Sequence, residues 1–123
     1  MGYEYNEIGI LIFEGNFLNG RRNGKGKEYD YEGKLIFDGE YLNGIQTKGI
    51  KRIYHRDNGK LIFEGESLYG LKNGIGKEFD YYYGTLIYEG EYSNGLRNGN
   101  GKEYNFYNGK LKYEGKYLNG KRC

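Results

Sequence analysis

The chain has no proline, no tryptophan and a single cysteine, and each shortage removes a class of explanation. With no proline, its 23 glycines do not read as a proline- and glycine-rich linker. Glycines held in register mark backbone that needs positive φ or close approach. Cys123, alone at the last position, cannot close an internal disulfide, which fits a reducing, cytoplasmic setting. No run of 18 or more apolar residues occurs, so no membrane-spanning helix is expected. The start carries no signal-peptide pattern. Met1-Gly2 opens like a myristoylation site, but Asn6 stands where Ser or Thr is required. A net charge of +2, from 19 basic and 17 acidic residues, gives no field that selects nucleic acid.

Catalytic material is just as scarce. The chain holds one histidine, His55, and two serines, Ser67 and Ser93, with no nucleophile–base pairing. Gly24-Lys25-Gly26-Lys27 is not followed by the Gly-Lys-Ser/Thr of a phosphate loop. No metal-ligand spacing is present. A non-enzyme is expected, with no metal and no cofactor, and His55 reads as a solvated turn residue.

What the chain does have is repetition. Phe37-Asp38-Gly39-Glu40-Tyr41-Leu42-Asn43-Gly44 recurs from Phe13, Phe63, Tyr88 and Tyr113, and the central glycines fall at 15, 39, 65, 90 and 115. A period near 25 residues means stacked units that bury their apolar sides against their neighbours. The boundaries are a half-repeat 1–12, repeats starting near 13, 37, 63 and 88, and a half-repeat 113–123. Within each block apolar and polar residues alternate with period two, the signature of a half-buried strand. Asn-Gly occurs ten times between or within these runs, and it is the strongest short hairpin signal because both residues tolerate positive φ. The expected fold is all-β, a single-layer antiparallel meander of about ten strands built from tandem hairpins.

A two-residue loop at Glu32-Gly33 sets Lys27 against Asp38, Lys25 against Glu40 and Gly26 against Gly39. The later connectors are one residue longer, and a three-residue loop then pairs Arg52 with Glu64, Lys77 with Glu89 and Lys102 with Glu114. Such exposed pairs contribute about 0.2–1 kcal/mol each, enough to fix register. The second unit departs from the others. It is read with one residue inserted after Gly44 and with Lys51 in place of the second glycine, so an irregularity is expected over 46–52.

The pattern Tyr88-x-Gly90-x-Tyr92, Gly95 and Gly99-x-Gly101, repeated in phase along the chain, resembles the MORN repeat (membrane occupation and recognition nexus). Ser67 departs from the aromatic residue usual at its position. The resemblance implies an elongated, twisted meander that serves as a scaffold, a dimerisation surface or a membrane-proximal module. It also implies frequent attachment to lipid kinases or methyltransferases, so one alternative is the repeat segment of such a protein.

Two surfaces are candidates for binding. The first is an aromatic column of Phe13, Phe17, Phe37, Tyr41, Phe63, Tyr88, Tyr92, Tyr113 and Tyr117. An open sheet leaves part of such a column accessible, and an exposed stripe would suit a peptide or helix from a protein partner. The second is the set of basic hairpin tips, Arg21, Arg22, Lys48, Lys72, Arg97, Lys121 and Arg122. These would meet an anionic membrane surface at about 1 kcal/mol per cation, although charged tips also serve simply to keep a sheet soluble. Tyr3-Glu4-Tyr5-Asn6 aligns with Lys27 to Asp30, and Tyr113 to Arg122 is the front half of a repeat. Two complementary edges are therefore expected, which would support a head-to-tail homo-oligomer unless a flanking segment or partner covers them; the alternative is short terminal strands that fray and stay monomeric.

Overall fold

A computed structural model describes residues 1–123. It contains eleven strands and no helix: β1 (Gly2–Tyr5), β2 (Leu11–Leu18), β3 (Arg21–Tyr29), β4 (Leu35–Leu42), β5 (Ile45–Tyr54), β6 (Leu61–Leu68), β7 (Leu71–Phe79), β8 (Leu86–Ser93), β9 (Leu96–Tyr104), β10 (Leu111–Leu118) and β11 (Lys121–Arg122). They form one sheet in sequence order. Two compact units divide the chain, the first made of residues 1–51 and 67–70, the second of 52–66 and 71–123.

Seven of the Asn-Gly pairs have two distinct jobs. Asn19, Asn43, Asn94 and Asn119 sit at φ of 49–52°, each followed by a positive-φ glycine, as a two-residue primed turn requires. Asn23-Gly24, Asn73-Gly74 and Asn98-Gly99 lie inside strands instead, with Gly24, Gly74 and Gly99 at φ of 92–104°. Around Gly24 and Gly99 the β2–β3 and β8–β9 ladders shift register, so these pairs make bulges rather than hairpins. Glu66 and Glu91 serve the Gly74 and Gly99 bulges, accepting the Ile75 and Asn100 N–H groups at 2.6 and 2.7 Å.

In the first unit, Lys27 faces Asp38, Lys25 faces Glu40 and Gly26 faces Gly39, as the charge pattern predicts. The loop itself is longer than two residues. Asp30 N–H donates to Lys34 O at 2.9 Å, enclosing Tyr31-Glu32-Gly33, and a register shift beside Tyr29 restores the pairing. In the second unit Lys77 faces Glu89, Lys102 faces Glu114, and Arg52 meets Glu64 at 2.7 Å. Its connectors close one residue later still, through His55–Lys60, Asp80–Thr85 and Asn105–Lys110.

The expected irregularity takes another form. Against β4, the partner of Gly39 is Gly49, five residues past Gly44, whereas Gly26 lies six residues past Gly20. The stretch after the turn is thus one residue shorter, not longer. Lys51 faces Phe37, the place that Glu28 occupies opposite Phe13.

Candidate functional site

Rows of glycine cross both units. Gly15, Gly26, Gly39 and Gly49 are consecutive partners in the first, and Gly76, Gly90, Gly101 and Gly115 in the second. The rings lie over these rows because nothing else fits there. A Cβ on Gly101 would meet the Tyr88 hydroxyl at 2.5 Å, and one on Gly26 would meet the Phe13 ring at 2.5 Å. With the hollows filled, the column is a core. Phe13, Phe37 and Tyr41 are buried in the first unit, and Phe63, Tyr88, Tyr92 and Tyr117 in the second, none above 5% exposed. Neighbouring rings meet edge to face at 5.1–5.6 Å, an arrangement worth about 0.5–1.5 kcal/mol per pair beyond area burial. The expectation of an open aromatic stripe is therefore corrected. Only Phe17, at 37%, and the half-buried Tyr113 retain surface.

The basic tips divide in the same way. Arg22 lies 4.2 Å over the Phe13 ring, Arg97 4.2 Å over Tyr88, Lys72 4.3 Å over Phe63 and Arg122 4.5 Å over Tyr113. These four cap rings, and of them only Arg122 also stays exposed. Arg21, Lys48 and Lys121 remain exposed.

Each capping arginine also joins a half-buried carboxylate in a recurring clamp. In the second unit Glu78 accepts hydrogen bonds from Tyr92 Oη and, at 3.0 Å each, from Arg97 Nε and Nη2. Glu103 accepts from Tyr117 Oη at 2.5 Å and from Arg122 at 2.9 and 3.0 Å, with Arg97 at 3.5 Å. In the first unit Glu28 accepts from Tyr41 at 2.7 Å, Gln46 at 3.1 Å and Arg22 at 3.2 Å. Arg22 also reaches Glu4 at 2.8 Å. Burial pushes the Glu78 carboxyl up, but the bonds from Arg97 and Tyr92 outweigh it and hold the group below the usual carboxylate range. Chiefly through Arg122, Glu103 is held at about 2. Burial, then the bond to a glutamate, pushes the Tyr41, Tyr92 and Tyr117 hydroxyls well above their ordinary value, so they stay protonated and donate to the carboxylates. Alternation and charge gave no hint of this clamp.

The first unit ends where the clamp fails. Lys51 stands opposite Phe37 and donates to Gly70 O at 2.7 Å. Ser67, in the position of Tyr41, is buried at 3% exposure, and its hydroxyl has no hydrogen-bond partner.

The face opposite the rings carries the candidate binding site. In the second unit a shallow groove of about 370 Å³ has Gly90, Gly101 and Gly115 as its floor, with Lys77, Glu89, Lys102 and Glu114 along one wall. Across four strands this wall alternates in sign. His55 is not a solvated turn residue. It stacks on Tyr81 at 4.8 Å, and its Nδ1 accepts the Asp57 N–H at 3.2 Å.

The family model for the MORN repeat matches residues 13–34, 63–80, 88–105 and 113–123, more than half of the chain. No curated protein matches it. Residues 35–62, where Gln46 replaces the capping cation and Lys51 the acid, lie outside the matched segments. MORN repeats are repeat modules that commonly serve binding and scaffold roles and are generally non-catalytic. On this match and this repeat geometry, the chain belongs to the MORN repeat family.

Proposed function

We propose that the chain is a non-catalytic scaffold module that binds a protein partner along the glycine-floored groove of the second unit. The observation that supports this reading is the groove itself. The strand backbone lies open beside the wall, and the alternating signs of Lys77, Glu89, Lys102 and Glu114 supply register through charge complementarity. Successive strands lie about 4.8 Å apart, close to the ~5.4 Å rise of a helical turn. A helix carrying opposite charges at i and i+3 or i+4 would match the wall. The aromatic column contributes by holding the groove's backbone rigid.

The test is capture of a partner by the wild-type chain and by the variant Lys77→Glu with Lys102→Glu. Both lysines are exposed but each faces glutamate across the sheet, so the reversals should cost about 1–3 kcal/mol, and circular dichroism must show the variant folded before capture is compared. Loss of the partner supports the groove; equal capture sinks it. Vesicle co-sedimentation decides the membrane alternative, which rests on Arg21, Lys48 and Lys121. Anionic-lipid binding that those three substitutions abolish would replace the protein-partner reading.

A further inference from the structure

The connectors at the opposite ends of the strands from the Asn-Gly turns behave differently in the two units. In the first unit the connector between β3 and β4 is Asp30-Tyr31-Glu32-Gly33-Lys34, with one exposed ring. In the second unit, two successive connectors expose five: Tyr81, Tyr82, Tyr83, Phe106 and Tyr107, each at least half exposed and Tyr107 at 74%. Five half-exposed rings offer on the order of 500 Å² of contact area.

These rings are held in place. Tyr83 is the hub, 4.8 Å from Tyr82 and perpendicular to it, 6.0 Å from Phe106 and nearly parallel, and 5.8 Å from Tyr107 and perpendicular. The backbone beneath is fixed as well. Asp80 Oδ2 accepts the N–H groups of Tyr82 and Tyr83 at 3.0 and 2.7 Å, and Asn105 Oδ1 accepts those of Tyr107 and Asn108 at 2.8 and 3.1 Å. Asn58 Nδ2 donates to Tyr81 O at 2.8 Å and Lys60 Nζ to Tyr82 O at 2.7 Å. A surface ordered in advance loses little entropy on binding.

We propose that this connector edge of the second unit binds an extended, proline-rich peptide of a partner protein. Hydrogen-bond complementarity selects that occupant. The carboxylate of Asp80, the side-chain oxygen of Asn105 and the carbonyls of Tyr81 and Tyr82 are consumed internally. The hydroxyls of Tyr81, Tyr82, Tyr83 and Tyr107 make no bond within the protein, so the surface presents ring faces and O–H donors. A polyproline II segment is the mirror of this: apolar rings, carbonyl acceptors and no N–H at proline. Two ring-to-ring steps of 4.8 and 6.0 Å cover a length comparable to the ~9 Å occupied by three such residues. Perpendicular rings form the walls of slots that prolines fill. A lipid surface fits less well, because Asp57 and Asp80 sit among the connector cations Arg56, Lys60 and Lys110. This surface is distinct from the glycine-floored groove, and the two proposals stand or fall separately.

The test is fluorescence anisotropy of a labelled deca-proline peptide, with a glycine–serine peptide of equal length as control. Saturable binding below about 1 mM is expected for the proline peptide alone. Tyr83→Ala and Tyr107→Ala should each weaken it about tenfold, with the circular dichroism melt unchanged. Tyr83→Phe, which keeps the ring and removes the hydroxyl, should weaken it by a smaller factor. Tyr31→Ala and the double substitution Lys77→Glu with Lys102→Glu should leave it unaltered. No saturable binding, equal binding of the glycine–serine peptide or insensitivity to the tyrosine substitutions overturns the proposal. Neutral or anionic vesicles competing through the same tyrosines would overturn it in favour of a membrane edge.

Discussion

The two units are built from one repeat, yet their interiors are not equally well tied. In the second, Arg97 lies between Glu78 and Glu103, so a single guanidinium neutralises two half-buried acids and covers the Tyr88 ring. The first has the same bridge once, in Arg22 between Glu4 and Glu28 over the Phe13 ring, but after its next turn the position falls to Gln46, which offers Glu28 one neutral bond at 3.1 Å. The next acid position is then lost to Lys51, and the next ring position to Ser67. The difference teaches that the charged residues of this repeat are not surface decoration. They are the outer layer of a thin core, and where they lapse the family match lapses too.

The strongest way to break this comparison is to empty each core. Tyr88→Ala and Phe37→Ala should each cost about 3–5 kcal/mol in urea unfolding. Tyr88 should cost the more, because its unit packs four buried rings against the other's three. Equal losses would mean that the extra ring adds nothing. Next come the glycine rows. A Cβ on Gly90 would lie 2.5 Å from Asn100 O and Gly101 Cα, both backbone, so Gly90→Ala should cost about 1–3 kcal/mol. Gly115→Ala should cost less, since it meets only the movable end of the Tyr113 ring.

The clamps sharpen the comparison directly. Arg97→Leu takes both guanidinium bonds from Glu78 and a weaker contact from Glu103, which keeps Arg122, and should cost about 2–3 kcal/mol, whereas Gln46→Leu should cost about 1 kcal/mol or less. Equal costs would make the two clamps equivalent. Acid supplies a related check. Because the folded-state value of Glu103 is depressed to about 2 from an ordinary 4.5, its stabilisation is complete above about pH 4.5. It fades as the pH falls toward 2, and Glu103→Gln should remove that part of the acid sensitivity. The smallest effect has the opposite sign. Ser67→Ala removes a buried hydroxyl without a partner and should raise stability by about 0.5–1 kcal/mol.

Much of this fold was legible in the sequence. Period-two alternation located the strands. The charge pairing of Lys27 with Asp38 and of Lys77 with Glu89 set the register, because register is local and chemical. Connector lengths were less legible, since a bulge beside Tyr29 absorbs a residue without changing any charge pair. The candidate site was the least legible part. Alternation assigns a residue to a face but does not say whether that face is filled, and the glycine rows bring the rings low enough to fill their own. The exposed connector aromatics lie between the strands, where period-two alternation assigns no face.

One feature of the clamp bears on how such a chain grows. The acid of one repeat, such as Glu78 or Glu103, is grasped by the tyrosine and arginine of the repeat that follows. A duplicated block of about 25 residues therefore arrives with its own hook and its own eye. Inserted whole between two others, it finds both junctions already fitted. Copied in part, it leaves a carboxylate with no hand to hold. Lengthening by complete units is then the path of least disruption, and the number of repeats can drift in descent while the junction chemistry stays fixed.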